Sequence, residues 1–318
     1  MKNLVKFSFI AMIAFLAYSC SDDDDNSSLD DNQTTAEFIA TTPEFSSLAA
    51  ALERTGLTAN FQSGAELTLF APTNDAFSTF LNNNGFSNLE EVPEDLLRET
   101  LLNHVVSGDN EAADLTTGYV NSLATYANTD NNLSMYVDTS AGVKLNGLAT
   151  VTEADIETES GVVHKVDAVI TLPTVVTFAT ADSNFETLVS ALTLQGQPDY
   201  VTTLSTGIGT DPAPFTVFAP TNKAFADLLV ELNITGLNEI DSATLTAALN
   251  THVIAGQNVR AEDLTTGTVT TLGAAVEVDA ENGTITDPND RISTIVVTNV
   301  QASNGVIHAI DNVLLPQL

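Results

Sequence analysis

Tryptophan is absent from this 318-residue chain, and cysteine occurs once, as Cys20. A single cysteine closes no intrachain disulfide and supplies no thiolate cluster for a metal. Positive charge is scarce as well. Nine Lys and Arg stand against 42 Asp and Glu, for a net charge of −33. Nucleic-acid phosphates need a cationic footprint, so that class of partner is excluded. An electrostatic grip on anionic lipid is excluded on the same ground. There is no Gly-rich phosphate loop and no HExxH pattern. Residues 205–209 (STGIG) hold two glycines but lack the GxGxxG span. What the chain does have is apolar material. At 43% hydrophobic residues it is no charged disordered tail, and its length suits about two domains, each able to bury a core.

Residues 1–19 read as an export signal. Lys2 and Lys6 precede an apolar run over 7–17 that is too short to span a bilayer. The run ends in Leu16-Ala17-Tyr18-Ser19 before Cys20. This box resembles that of bacterial lipoproteins, although Tyr18 is bulkier than the usual residue there. The resemblance implies that Cys20 becomes a lipidated N-terminus, with acyl chains worth about 0.8 kcal/mol per buried CH₂. Residues 20–33 form an acidic tether in which Asp22 to Asp25 repel one another and stay solvated. An acidic run after the lipidated cysteine resembles the surface-export signal of Bacteroidetes-type lipoproteins. It implies an outer-membrane protein facing the cell exterior. Removing residues 1–19 takes away two lysines and no acids, leaving −35.

The strongest internal feature is a repeat. LTLFAPTNDAF over 67–77 returns as FTVFAPTNKAF over 215–225, and His104 returns as His252, both 148 residues later. DLTTG at 114–118 returns at 263–267, and GVVHKVD at 161–167 returns as GVIHAID at 305–311. Landmarks in one order at near-constant spacing mean two homologous domains, set at 34–173 and 174–318. Phe38, Phe45 and Leu48 answer Phe178, Phe185 and Leu188 at 140, so the second copy carries eight extra residues before its FAPTN motif, expected around 195–214. Between its two histidines the second copy is shorter by four, at 56 positions against 60.

Each copy opens on helical signals. Phe45, Leu48 and Leu52 fall at helical spacing after Thr42-Pro43, which supply a cap and a first-turn proline. A short strand is expected at 66–70 and 215–219. Ala-Pro-Thr-Asn then breaks it, and Thr73 or Asn74, like Thr221 or Asn222, can cap the helix that follows. A further helix covers about 94–105 and 242–253. Strand-like alternation fills the back half, including 162–170 and 306–314. Helices feeding a β-rich half indicate an α+β fold.

These motifs resemble the fasciclin (FAS1) domain family across both domains. The resemblance implies, for each domain, a wedge of two packed β-sheets with helices along one edge. It also implies a role in adhesion rather than catalysis. The motif residues it marks as structural or as a binding edge are Pro72, Thr73, Asn74, His104 and His164, with Pro220, Thr221, Asn222, His252 and His308. The Tyr-His pair common in the family reads Asn103-His104 and Thr251-His252 here. Its Asp-plus-aliphatic adhesion determinant maps loosely onto residues 167–170 and 311–314.

The four histidines lie beside β-branched residues, where an imidazole can bridge a core edge and a backbone carbonyl. The sharper alternative pairs His104 with His164, and His252 with His308, as a metal or catalytic couple, but no further ligand stands at fixed spacing in both copies. Glu153, Asp155, Glu157 and Glu159 would share one face of a strand. With Asp279, Glu281, Asp287 and Asp290 they are the candidates for weak calcium binding; otherwise they are a solvated acidic surface. No catalytic residue, metal site or obligatory cofactor is assigned. The expected function is that of a non-catalytic cell-surface adhesion or ligand-binding lipoprotein. Its partner would be an extracellular glycan, a matrix polymer or a surface protein, and it would reach the membrane through lipid alone. The alternatives are a structural envelope protein without a specific ligand, and a carbohydrate-processing hydrolase, which needs a buried acid–base pair in a cleft.

Overall fold

The computed structural model describes residues 33–62 and 66–317. The export signal, Cys20 and the tether up to residue 32 lie outside the described residues. No helix among the described residues is long and apolar enough to cross a membrane.

The first domain begins with helices α1 (Thr35–Thr41) and α2 (Ser46–Arg54), then strand β1 (Leu67–Pro72), α3 (Asn74–Asn83) and α4 (Glu94–Leu102). Six strands follow: β2 (Val105–Ser107), β3 (Gly118–Thr125), β4 (Asn132–Asp138), β5 (Lys144–Leu145), β6 (Ala149–Thr158) and β7 (Gly161–Val166). They pair in sequence order, and β7 returns beside β1 in parallel, closing a ring. The second domain repeats this with α5 (Val175–Ala181), α6 (Glu186–Leu192), α7 (Tyr200–Leu204), β8 (Phe215–Pro220), α8 (Asn222–Glu231) and α9 (Ser242–Thr251). Its later strands are β9 (Val253–Ala255), β10 (Gly267–Val269), β11 (Val276–Asp279), β12 (Thr284–Thr286), β13 (Ile292–Ala302) and β14 (Gly305–Ile310). Their order, β10-β11-β12-β13-β14-β8-β9, is that of the first domain with the ring open between β9 and β10. Each domain is therefore α+β. Its long strand, β6 or β13, pairs with a different neighbour at each end and so links two sheets.

The parallel pair at the centre explains one repeated glycine. A Cβ on Gly161 would lie 2.0 Å from the Leu67 carbonyl oxygen, and one on Gly305 would lie 2.3 Å from that of Phe215. Only glycine admits so close an approach. Phe77 and Phe225 point from α3 and α8 into the two main cores, at 2% and 1% exposure.

Several expectations need correction. Thr42 and Pro43 do open a helical turn, a 3-10 turn over Pro43–Phe45 with the proline in its first turn, but the Thr42 side chain makes no cap bond: its hydroxyl donates back to the Phe38 carbonyl at 2.7 Å. The first helix is α1, capped reciprocally by Thr34 and Glu37. The strands expected to reach Ile170 and Leu314 stop at Val166 and Ile310, where Asp167 and Asp311 accept the N–H groups of Thr150 and Thr294 at 2.7 and 2.6 Å. The second copy's extra residues do fall around 195–214, but they include a helix, α7. The net deficit of four in its back half is two changes. Gly118 and Val137, which pair across the β3–β4 hairpin, are 19 positions apart, whereas Gly267 and Val278 are 11 apart. Leu145 and Ala149 pair across the β5–β6 turn four positions apart, whereas Ile285 and Ser293 pair across the β12–β13 turn eight apart, which restores four.

The two domains pack directly. Tyr119 on β3 donates to the Asp182 carboxylate at 2.9 Å and meets Phe178 edge-on at 5.5 Å. Tyr136 on β4 joins the second domain's core. The Gln301 N–H donates to the Ser134 hydroxyl at 3.0 Å. At the joint, the Ser303 N–H and hydroxyl both donate to the Pro173 carbonyl, at 2.7 and 2.8 Å.

Phe77→Ala and Phe225→Ala should each cost about 3–5 kcal/mol, since both rings fill closed core sites. Urea titration of each variant checks this; midpoints equal to the parent's would contradict the burial.

Candidate functional site

The repeated motifs meet at the turn after β1 and β8. Pro72 and Pro220 end these strands opposite Val166 and Ile310. At a strand end their missing N–H does no harm to the ladder. Thr73 and Thr221 then cap α3 and α8, each accepting an N–H (Ala76 or Ala224) at 3.3 Å. Asn74 and Asn222 do something else. Asn74 Oδ1 accepts the Ser47 N–H at 2.9 Å, and its Nδ2 donates to the Pro43 carbonyl at 2.9 Å. Asn222 treats the Thr187 N–H and the Ser183 carbonyl identically, both at 2.8 Å. The amide therefore satisfies the first turn of the preceding helix in space, α2 or α6, and ties two helix starts together.

The histidines form a second set of internal ties. The Ile170 N–H donates to His104 Nε2 at 2.8 Å, so Nδ1 carries the ring proton and donates to the Thr100 carbonyl at 2.7 Å. His252 repeats this between Leu314 and Ala248, at 2.9 and 2.7 Å. His164 uses the other tautomer. Its Nδ1 accepts the Asp155 N–H at 3.2 Å, and its Nε2 donates to the Asn110 carbonyl at 2.8 Å. His308 does likewise between Asn299 and Val259, at 3.4 and 2.9 Å. The rings of His164 and His308 face Phe70 and Phe218. Both nitrogens of every imidazole are thus occupied by backbone, which leaves none to ligate a metal or relay a proton. Burial pushes the pKa of both His104 and His252 from 6.5 down to about 4, against the raising effect of the Thr100 or Ala248 carbonyl. Burial also lowers His308.

Asn103 and Thr251, beside these rings, are also structural. Asn103 donates to the carbonyls of Ile170 and Thr171, and Thr251 accepts the Ala274 N–H. Val169, Ile170, Val313 and Leu314 are core residues, so the large aliphatic side chains of the segment that maps onto the family's adhesion determinant are withdrawn from the surface.

The acidic residues are scattered. β6 bulges between Glu153 and Ile156, and Asp155 takes a left-handed φ of 60°. The bulge breaks the alternation that would have put Glu153, Asp155, Glu157 and Glu159 on one face. The Asp155 carboxylate accepts the Ala112 N–H at 2.7 Å. Asn299 holds the same bulge position on β13, with φ 58°, and its side chain accepts the Ala261 N–H at 2.7 Å. Asp279 accepts the N–H groups of Glu281 and Asn282 in its own turn. Asp287 is buried and binds Arg291 and the Leu315 N–H. No three His, Cys, Asp or Glu side chains gather to hold a metal among the described residues.

One concavity was not anticipated. A cleft of about 450 Å³ opens at the domain junction, between the β3–β4 hairpin and the bulged part of β13. Tyr119, Asn121 and Asn131 line one wall, and Arg260, Val297 and Thr298 the other. Arg260 Nε donates to Glu262 at 2.6 Å and its Nη1 to Gln301 at 3.1 Å. Hydrogen bonding from Arg260 holds the Glu262 carboxyl down at about 2. The signal that could have located this wall is the longer first-copy hairpin.

The fasciclin domain model matches residues 43–173 and 183–316. A Synechocystis protein, sll1483, is 35% identical over 174 residues, covering 54% of this chain and 90% of that protein. A fasciclin-like arabinogalactan protein of Arthroderma benhamiae is 24% identical over 340 residues, covering 98% of this chain and 70% of its own. The transforming growth factor-beta-induced protein ig-h3 of Sus scrofa is 30% identical over 255 residues, 78% of this chain and 34% of that protein. Among solved structures, a FAS1 domain pair from the insect cell adhesion molecule fasciclin I aligns with TM-score 0.49 and 20% identity, covering 84% of this chain and 92% of that one.

Asn74→Ala should cost about 1–2 kcal/mol through the lost bonds to α2, and Asn74→Asp less, because it keeps the acceptor. Denaturant midpoints read both. Acid should expose the imidazoles. Above pH 6.5 His104 and His252 are neutral in both the folded and unfolded states. As pH falls from 6.5 to 4 the unfolded chain takes up protons that the folded one refuses. Stability therefore drops by about 3 kcal/mol per ring, then levels off. His104→Gln should be less stable at pH 7 yet show a shallower loss across that window in denaturation at stepped pH. An unchanged slope would contradict the buried neutral ring.

Proposed function

The chain belongs to the fasciclin domain family, and from that premise we propose that it is a non-catalytic adhesion or ligand-binding protein of the cell surface. Fasciclin domains are generally adhesion or matrix-binding modules. The observation that carries the reading is the locked pair. The Tyr119–Asp182 and Ser134–Gln301 bonds and the tied Pro173 carbonyl hold two such modules as one body. Two contacts presented at fixed spacing strengthen each other through high effective concentration. The occupied imidazole nitrogens favour a structural over a catalytic role for the most conspicuous titratable groups.

Anchoring is part of the proposal. Lipid on Cys20 would hold the chain in the outer membrane, and the acidic tether would lift the domains toward the exterior. The partner is an extracellular glycan, a matrix polymer or a neighbouring surface protein. Proteinase K added to intact cells should then remove the protein, and Cys20→Ala should release it from the membrane fraction. A deletion strain should attach to matrix or aggregate less than its parent. Survival of the protein on intact cells would sink the surface placement, and unchanged attachment would sink the adhesive role.

A further inference from the structure

We propose that the cleft at the domain junction binds an uncharged oligosaccharide. This rests on the ligand-binding reading above and gives it a place and a chemical class. The cleft volume, about 450 Å³, falls within the range of small-molecule sites.

Its chemistry is set by a local absence of charge. The chain carries 42 acidic residues, yet residues 292–310, which form most of one wall, contain no Asp, Glu, Lys or Arg, and their one histidine, His308, is buried with both ring nitrogens on backbone groups. Residues 115–137, which form the other, contain only Asp130. Arg260 is the cation of the cleft, and Glu262 neutralises it at 2.6 Å. An anionic ligand would meet a strongly negative protein with no uncompensated cation to receive it. A cation would find one carboxylate, Asp130, and no second to complete its shell. A purely apolar ligand would strip water from amides without replacing their hydrogen bonds.

Amides, hydroxyls and a little apolar surface remain, which is what a neutral sugar requires. The side chains of Asn121 and Asn131 have no partner among the described residues, so both are free to donate to and accept from vicinal hydroxyls. Tyr119 and the 42%-exposed Val297 offer apolar surface to the C–H faces of a sugar ring. Two departures from the repeat build the site. The first copy's hairpin is longer by eight residues between its paired landmarks, and this brings Asn121 and Asn131 to the junction. The second copy places Val297 where the first, at the same distance before the bulge residue, places Glu153.

The test is calorimetry of the full chain in detergent against neutral gluco-, manno-, galacto- and xylo-oligosaccharides of four to six units. Oligogalacturonate and sialylated oligosaccharides serve as acidic comparators. The expected result is binding of at least one neutral series, with affinity reduced at least tenfold in Asn121→Ala/Asn131→Ala and in Thr298→Trp, which fills the cleft. Melting curves matching the parent's establish that both variants fold. Neutral binding that the variants leave intact would overturn the cleft as the site while leaving the ligand-binding reading in place. Preference for the acidic series would overturn the chemical class. No binding of any sugar, alongside normal attachment of cells, would overturn the proposal and leave the uncharged walls as a means of avoiding repulsion between domains. Loss of attachment on deletion is read separately and bears only on the adhesive role.

Discussion

A neutral imidazole wedged between two backbone segments is the contact on which each domain depends. After β7 and β14 the chain leaves the sheet and runs through buried residues, where no strand can pair with the N–H groups of Ile170 and Leu314. An unpaired buried N–H costs about as much as a lost hydrogen bond. His104 and His252 accept hydrogen bonds from these N–H groups through Nε2 and donate Nδ1–H to carbonyls in the last turns of α4 and α9. A lysine could not accept and a carboxylate could not donate; a neutral imidazole does both on opposite sides of one flat ring. Burial keeps the ring neutral, and its neutrality is what makes it a bridge.

The second pair of imidazoles fixes the bulges. Asp155 and Asn299 sit in left-handed backbone that only a short polar side chain tolerates well. Each is held from both sides, by its own N–H on the imidazole and by its side chain on the loop after β2 or β9. The most recognisable residues of the sequence thus face inward and hold strands, helices and loops in register. Difference between the copies is left to the surfaces they support, above all the β3–β4 hairpin and the exposed stretch of β13.

This division explains what could be read in advance. The repeat and the α+β order were legible because steric and hydrogen-bond demands at Gly161, Gly305, Thr73 and Thr221 admit few residue types. The role of Asn74 was not, because an amide at a helix start looks like its own cap, and its partners lie about 30 residues upstream. The Thr34–Glu37 capping box has its signature in the sequence, but Thr42-Pro43, directly before the apolar stripe of Phe45, Leu48 and Leu52, is a competing start signal. The bulges escaped because a one-residue insertion shifts the phase of alternation without a distinctive composition. The longer hairpin escaped because landmarks on either side report only a sum, and four residues restored after β12 hid eight lost after β10.

The junction turns these local differences into a property of the whole protein. A flexible linker would let each domain bind alone, and the distance between contacts would follow chain statistics. Here the Pro173 carbonyl is tied by Ser303, and Tyr119 is tied by Asp182, so the spacing is a feature of the fold. A cleft with one wall from each domain exists only while those bonds hold. Any ligand that spans it must favour the docked arrangement over a separated one by its own differential affinity. Occupancy of the cleft and rigidity of the pair are therefore linked quantities, each strengthening the other by the same free energy.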